Sequence, residues 1–194
     1  MGYLSKLFIA ALIVILLFAA AVSINASEKS SSSYEFIWVS TAPAEMDMVE
    51  TKIKQQISPY PGIEYDNITL SASRENDKLR IHAIADSSDS RYSDRYDFRY
   101  RDNDLIRVGY VLEAIPESVR SEAIGIAMQN ENVASVLGPA TNAYGVSSVK
   151  QILPETSEKF HTGKTLISVT WLDHSLSALV DMDTGGVVQM WNAQ

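Results

Sequence analysis

The stretch "VDMDTGGVV" near the C-terminus holds residues that fit three different chemistries. Asp183-Thr184-Gly185 is the D-T-G of an aspartic protease. Asp181-Met182-Asp183-Thr184-Gly185 has the D-x-D-x-G spacing that opens a calcium loop. Asp183-Thr184-Gly185-Gly186 between two apolar runs also suits a β-hairpin turn. An aspartic protease must hold two carboxylates over one shared proton. Its D-T-G must also lie early enough for a sheet and flap to follow, and here only nine residues follow Gly185. A calcium loop needs about six oxygens or more and closes on a glutamate at its twelfth position. Counted from Asp181 that position is Asn192, and no Glu follows Asp183. A hairpin needs only residues that tolerate positive φ, which Gly185 and Gly186 supply. The hairpin is therefore expected, with no metal and no cofactor.

The other reactive side chains form no recognisable set. His82 lies in an alternating segment beside Arg80, where a solvated strand position is expected. His161 falls in a polar loop and His174 at the turn "LDHS", and nothing places them at metal-ligand spacing. Serines are many, but no G-x-S-x-G elbow occurs. No G-x-G-x-x-G or P-loop supports nucleotide chemistry. No catalytic residue is assigned, and no enzyme is expected. The most unusual composition is "DSSDSRYSDRYDFRYRD", where arginines interleave with tyrosines. Arg95, Tyr96, Arg99 and Tyr100 form a candidate contact face, since Arg and aromatic residues carry much of the energy at interfaces. Asp89, Asp94, Asp97 and Asp102 nearly balance the charge. The competing reading is a polar sheet face laced by cross-strand ion pairs, with Tyr96 and Phe98 on opposite faces.

Bulk composition narrows the classes. The 194 residues suffice for one ordinary domain or two small ones, at 46% hydrophobic content. A formal net charge of −8 carries no basic footprint, so nucleic acid is not an expected partner. The absence of cysteine excludes disulfides, thiol catalysis and a lipid anchor on cysteine.

The N-terminus bears a targeting signal. "MGYLSK" precedes an unbroken apolar run from Leu7 to Val22. The run is slightly short for a spanning helix and slightly long for a signal-peptide core. Residues 1–26 are therefore a cleaved export signal or an uncleaved membrane anchor, and in either case the rest is extracytoplasmic. The membrane is a partner if the segment is retained. "SEKSSSS", residues 27–33, reads as a flexible linker. Asn67-Ile68-Thr69 is a sequon on the polar side of an expected strand, so Asn67 is a candidate glycosylation site; a second sequon begins at Asn25.

Periodicity supplies the elements. "YEFIWVS" reads as a strand and Ala44–Ile57 as a helix, with Met46, Val49, Ile53 and Ile57 at helical spacing. "SPYPG" stops it. "EYDNITLSASREN" alternates with Ile68, Leu70 and Ala72 inward, and "DKLRIHAIAD" with Leu79, Ile81, Ala83 and Ala85 inward. Glu75-Asn76-Asp77 is the expected turn between them, and Asp102-Asn103-Asp104 joins two further strands. Glu117–Leu137 reads as one second helix, followed by two more strand-like segments, "AYGVSSVKQIL" and "KTLISVTWL", and the closing hairpin. The fold class is thus α+β, a helix packed on an antiparallel sheet, in two tandem units (34–114 and 115–194) after an N-terminal signal or anchor helix. A single continuous α+β domain is the alternative.

The second half, "EAIGIAMQNENVASVLG", "YGVSSVKQI" and "SALVDMDTGGVVQMW", resembles a PepSY-type domain from Ile115 to Trp191. The likeness lies in spaced helix alanines and a closing D-x-x-T-G-x-V turn, here Asp181, Thr184, Gly185 and Val187. "PETSEKFHTGK" is longer than the connection that family leads one to expect. The resemblance implies an extracytoplasmic, non-catalytic module. Such domains accompany secreted peptidases or sit on membrane proteins, with a proposed inhibitory or chaperone-like role. The expected function is an exported interaction or regulatory module with an unknown extracytoplasmic protein as partner. A surface ligand-binding protein using the Arg/Tyr face is the second reading, and an extracytoplasmic hydrolase the third.

Overall fold

Alternating apolar side chains pair the first strand, β1 (Glu35–Trp38), with β2 (Asn67–Glu75), and the pairing is parallel, Phe36 opposite Ile68 and Trp38 opposite Leu70. The computed structural model describes residues 34–75, 78–138, 148–160 and 162–192. The Leu7–Val22 run, the Asn25 sequon, the Asn76-Asp77 turn and His161 lie outside them. Between β1 and β2 runs α1 (Met46–Gln56), which turns Val49 and Ile53 onto the sheet. The wholly antiparallel sheet expected from the sequence is therefore corrected at this edge. A helix inserted between two neighbouring strands returns the chain to the same end of the sheet, and that makes the pair parallel. The helix ends where Ile57 turns extended while its N–H still reaches the Ile53 carbonyl.

From β2 onward the chain is an antiparallel meander through β3 (Lys78–Asp86), β4 (Asp94–Arg101) and β5 (Asp104–Val111), giving the order β1-β2-β3-β4-β5. Asp102 and Asn103 both take positive φ (53° and 61°), the two-residue turn whose twist suits a hairpin. Ile68, Leu70, Ile81, Ala83, Tyr96 and Phe98 fill the core beneath α1. This face follows from the period of two.

The second half repeats the order of helix then four-stranded meander. The expected single helix is two, α2 (Glu117–Gln129) and α3 (Glu131–Leu137). Asn130 breaks it with an extended backbone, and its side-chain oxygen accepts from the N–H groups of Asn132 (3.1 Å) and Val133 (3.3 Å). Asparagine is among the best N-caps because it satisfies donors that a helix start leaves open. Ala123 and Ala127 of α2 and Val133 and Leu137 of α3 are buried against the second sheet. That sheet is β6 (Ser148–Ile152), β7 (Leu166–Trp171), β8 (Leu176–Asp181) and β9 (Gly186–Asn192), antiparallel throughout and in chain order.

The long β6–β7 connection has structure of its own. It forms a short α4 (Pro154–Ser157) and a 3₁₀ turn, Glu158–Phe160. Phe160 meets Trp191 edge-on at 5.3 Å between ring centres. Leu166 and Leu179 alternate away from the helices and are nevertheless fully buried, so the second face of this sheet is covered in part, while Gln189 and Trp191 on it stay exposed.

Tyr34–Gln194 forms one compact unit. The sheets join where the N–H of Gln151 donates to the carbonyl of Leu112 (2.8 Å). The Tyr110 hydroxyl donates to Thr156 Oγ1 (2.5 Å) and accepts from the N–H of Leu153 (3.2 Å). Leu153 belongs to the first core, and Tyr60 packs against both.

Candidate functional site

The outer face of the first sheet is where unlike chemistries meet. Residues two apart on a strand share a face, so the rule that turns Ile81 and Phe98 inward turns Arg80, His82, Asp97 and Arg99 outward. Strand register then sets them in rows. Ser71, His82, Asp97 and Gly109 stand side by side across β2, β3, β4 and β5. In the next row stand Ser73, Arg80, Arg99 and Ile106. A bulge between Asp97 and Phe98 shifts the β4–β5 register. Such bulges bend the strand. Gly109 has no side chain to fill the space beside Asp97, where an added Cβ would sit 3.6 Å from Asp97 Oδ2. The result is a concavity of about 420 Å³ lined by Ser71, Ser73, Arg80, His82, Asp97 and Val108, among others.

Within it, His82 Nδ1 lies 2.9 Å from Asp97 Oδ1. The pairing fixes the ring and turns Nε2 away from Asp97. Arg80 and Arg99 stand directly opposite one another on antiparallel strands, both exposed. Like charges set opposite one another across a ladder make this row locally positive. Arg95 is paired with Glu113 (3.3 Å) and Arg101 with Asp102 (3.0 Å), whereas Arg99 has no acidic partner among the described residues.

The candidate contact face Arg95, Tyr96, Arg99, Tyr100 is not a single face. Tyr96 is fully buried and Tyr100 half-buried on the inner side, while Arg95 and Arg99 are exposed on the outer side. Tyr96 and Phe98, expected on opposite faces, both point inward, with ring centres 6.2 Å apart in a stacked pair. They are two residues apart, so strand geometry requires it. Tyr92 lies in the loop before β4 and carries the Arg120 guanidinium over its ring, 4.2 Å from the centre. The binding potential of the segment thus lies in its arginines, not its tyrosines. Asn67 opens β2, half-buried on the same side as Thr69 and Ser71.

Two carboxylates named in the sequence are buried, which their spacing did not foretell. Asp94 is wholly buried. It accepts from the Tyr65 hydroxyl (2.6 Å) and the N–H of Ala114 (2.7 Å). Tyr65 and Tyr96 share a further hydroxyl contact of 2.7 Å, and Tyr96 accepts from the N–H of Ser58 (3.1 Å). Burial pushes the Asp94 carboxyl up to about 6, against the opposing effect of the hydrogen bonds from Tyr65, Ala114 and Glu113. Burial and the neighbouring Asp94 also raise both phenols, which stay neutral donors. This network fastens the end of α1, the first sheet and the entry to α2 together.

Asp181 is the second, and it answers the question of "DMDTGG". The segment is a hairpin turn between β8 and β9. Asp181 Oδ1 accepts from the N–H groups of Asp183 (3.0 Å) and Thr184 (3.4 Å), and Oδ2 from Lys164 Nζ (2.8 Å). The Lys164 hydrogen bond holds the Asp181 carboxyl below the usual aspartate range, and Asp181 in turn raises Lys164. Gly185 takes φ +64°, but Gly186 does not need positive φ, which corrects the expectation that both would. His174 sits in a 3₁₀ turn, Leu172–His174. Among the described residues no group of three His, Cys, Asp or Glu side chains is placed to hold a metal ion. Among them, too, no helix is long and apolar enough to cross a membrane.

The fold class is α+β, with one mixed and one antiparallel sheet. No family model, curated protein or solved structure matches the chain.

Proposed function

We propose that this chain is an exported, membrane-tethered interaction module without catalytic activity of its own, which binds an extracytoplasmic protein through the outer face of its first sheet. The observation that carries the reading is the makeup of that face. Arg80 and Arg99 stand beside Ile106 and Val108, which are 54% and 51% exposed, on a surface that no described element covers. Arginine set against apolar side chains is the composition of an interface centre. The second sheet, by contrast, has one face packed under α2 and α3 and the other covered in part, which suits a scaffold. Its PepSY-like turn and helix are the basis for suggesting a secreted peptidase as the partner that is modulated.

Site-specific photocrosslinking in the native host tests this. A crosslinker at Ile106 should trap one discrete polypeptide, and a crosslinker at the exposed Leu172 of the second half should not. Identical products from both positions would refute the face as the docking surface. The second reading, a surface receptor for a small ligand, is favoured only by the 420 Å³ concavity. A small ligand needs most of its surface enclosed, and a sheet face offers one wall.

A further inference from the structure

We infer that Arg80 and Arg99, with Ser71, Ser73 and His82 around them, form the acceptor site for side-chain carboxylates of an acidic polypeptide segment. This rests on the reading of the outer sheet face as the docking surface, and it names the chemistry docked there. Three observations lead to it. The first is the direct opposition in register of two exposed arginines across β3 and β4. Side chains so paired have Cβ atoms about 5 Å apart, close enough for one carboxylate to engage both. The sequence is acidic overall, with 24 Asp and Glu against 16 Lys and Arg, so this local reversal of sign is a feature of the face and not of the bulk.

The second is the supply of further donors around Arg80, which lines the concavity that Arg99 adjoins across the ladder. The hydroxyls of Ser71 and Ser73 stand on the neighbouring strand, opposite His82 and Arg80. Among the described residues that line the concavity the acid is Asp97, already engaged with His82 Nδ1 at 2.9 Å. A carboxylate arriving over Arg80 and Arg99 therefore meets donors, and the negative charge nearest to it is partly satisfied.

The third is the rim. Ile106 continues the Arg80–Arg99 row at the edge strand, and Val108 lines the concavity itself. A free oxyanion would leave both in water. A peptide with a carboxylate on one residue lays neighbouring side chains across them, and its backbone closes the open side. Polypeptide, not small anion, is the occupant that uses everything present.

The full chain, with ¹⁵N-labelled arginine, tests the inference through the side-chain N–H signals of Arg80 and Arg99. The probes are a capped hexapeptide alternating threonine and glutamate, its glutamine counterpart, and sodium sulfate. The glutamate peptide should shift both signals saturably, and Arg99→Gln should weaken its binding about tenfold or more, as expected for losing a charge-assisted hydrogen-bonding partner. The glutamine peptide should not saturate. Equal binding of the glutamine peptide, or unchanged affinity in Arg99→Gln, overturns the inference. Sulfate binding as tightly as the glutamate peptide overturns it in favour of a free-anion site. Crosslinking separates this from the docking reading itself. A partner still trapped at Ile106 by Arg99→Gln but lost in Val108→Asp would discard the acidic ligand and keep the face. A partner kept in both variants would discard the face.

Discussion

The carboxylate of Asp94 accepts the backbone N–H of Ala114 at 2.7 Å, and so ties the first residue of β4 to the chain that leads into the second half. Tyr65 holds the other oxygen at 2.6 Å. An aspartate so deeply buried is costly when charged, and its pKa of about 6 records that cost.

Stability should therefore fall as pH rises from about 4 to about 6. In that window the folded state holds a proton on Asp94 that the unfolded state has released. Above it the penalty is constant, on the order of 3 kcal/mol from this group. Below about 4 both states are protonated, and the group contributes no further slope. Asp181 acts in a separate window, since its pKa is lowered: its contribution is present above the ordinary aspartate range and lost as pH falls below it. Urea unfolding at several values between pH 4 and 7 should show the first slope in the native chain and lose it in Asp94→Asn. Parallel slopes in the two proteins would show that another group is responsible.

The break at Asn130 gives a second expectation. Its side chain caps α3 through two N–H groups. Asn130→Ala should cost about 1 kcal/mol, the usual value of an N-cap, while Asn130→Asp should cost little because the acceptor is kept. Urea midpoints check both. An alanine variant as stable as the native chain would mean that α2 and α3 fuse into the continuous helix the sequence pattern suggests.

Much of this molecule could be read from its sequence, and what could not be read has a physical cause. The inward residues Ile68, Leu70, Ile81, Ala83 and Ala85 followed from alternation alone, as did the Asp102-Asn103 turn. The α2–α3 break did not, because the polar run Gln129–Asn132 could equally lie on the exposed side of one helix, and the break is made by the Asn130 side chain turned back onto its own backbone. The parallel β1–β2 pair did not, because a strand's direction depends on where the connection returns. The burial of Asp94, read as one of the acids of a polar face, and of Asp181, read only as part of the turn motif, was not visible because Tyr65, Ala114 and Lys164 reach them only after folding. The outer-face site was partly within reach. The phase of β3 already sets Arg80 and His82 together, and the same parity on β4 separates Arg99 from Tyr96 and Tyr100. What alternation cannot supply is register, which places Arg99 opposite Arg80.

Location gives a third expectation. Leu7–Val22 should carry the chain into the membrane or across it. Fractionation of the native host should recover it there or outside the cell. Recovery of full-length protein mainly in the soluble cytoplasm would remove the basis for an extracytoplasmic partner.

The closing hairpin divides its residues sharply. Asp181 is nearly buried and serves two turn N–H groups and Lys164, so Asp181→Ala strands three donors. The cost should be on the order of 1–3 kcal/mol. Asp183 is exposed and meets Lys164 only at 3.5 Å, so Asp183→Asn should change stability by less than about 0.5 kcal/mol. The glycines divide in the same way. Gly185 has φ +64° and open space around it, so Gly185→Val should cost on the order of 1–3 kcal/mol through backbone strain alone. Gly186 opens β9 without positive φ, and an added Cβ would rest at an ordinary 3.7 Å from Thr184 Oγ1, so Gly186→Val should be nearly neutral. Calcium should leave the melting temperature of all four variants and the native chain unmoved, because a ligand stabilises only a state that binds it. A rise in melting temperature with calcium that disappears in Asp183→Asn would make this turn a metal loop. Equal costs at Gly185 and Gly186 would show that side-chain packing, and not the left-handed backbone at one position, shapes the turn.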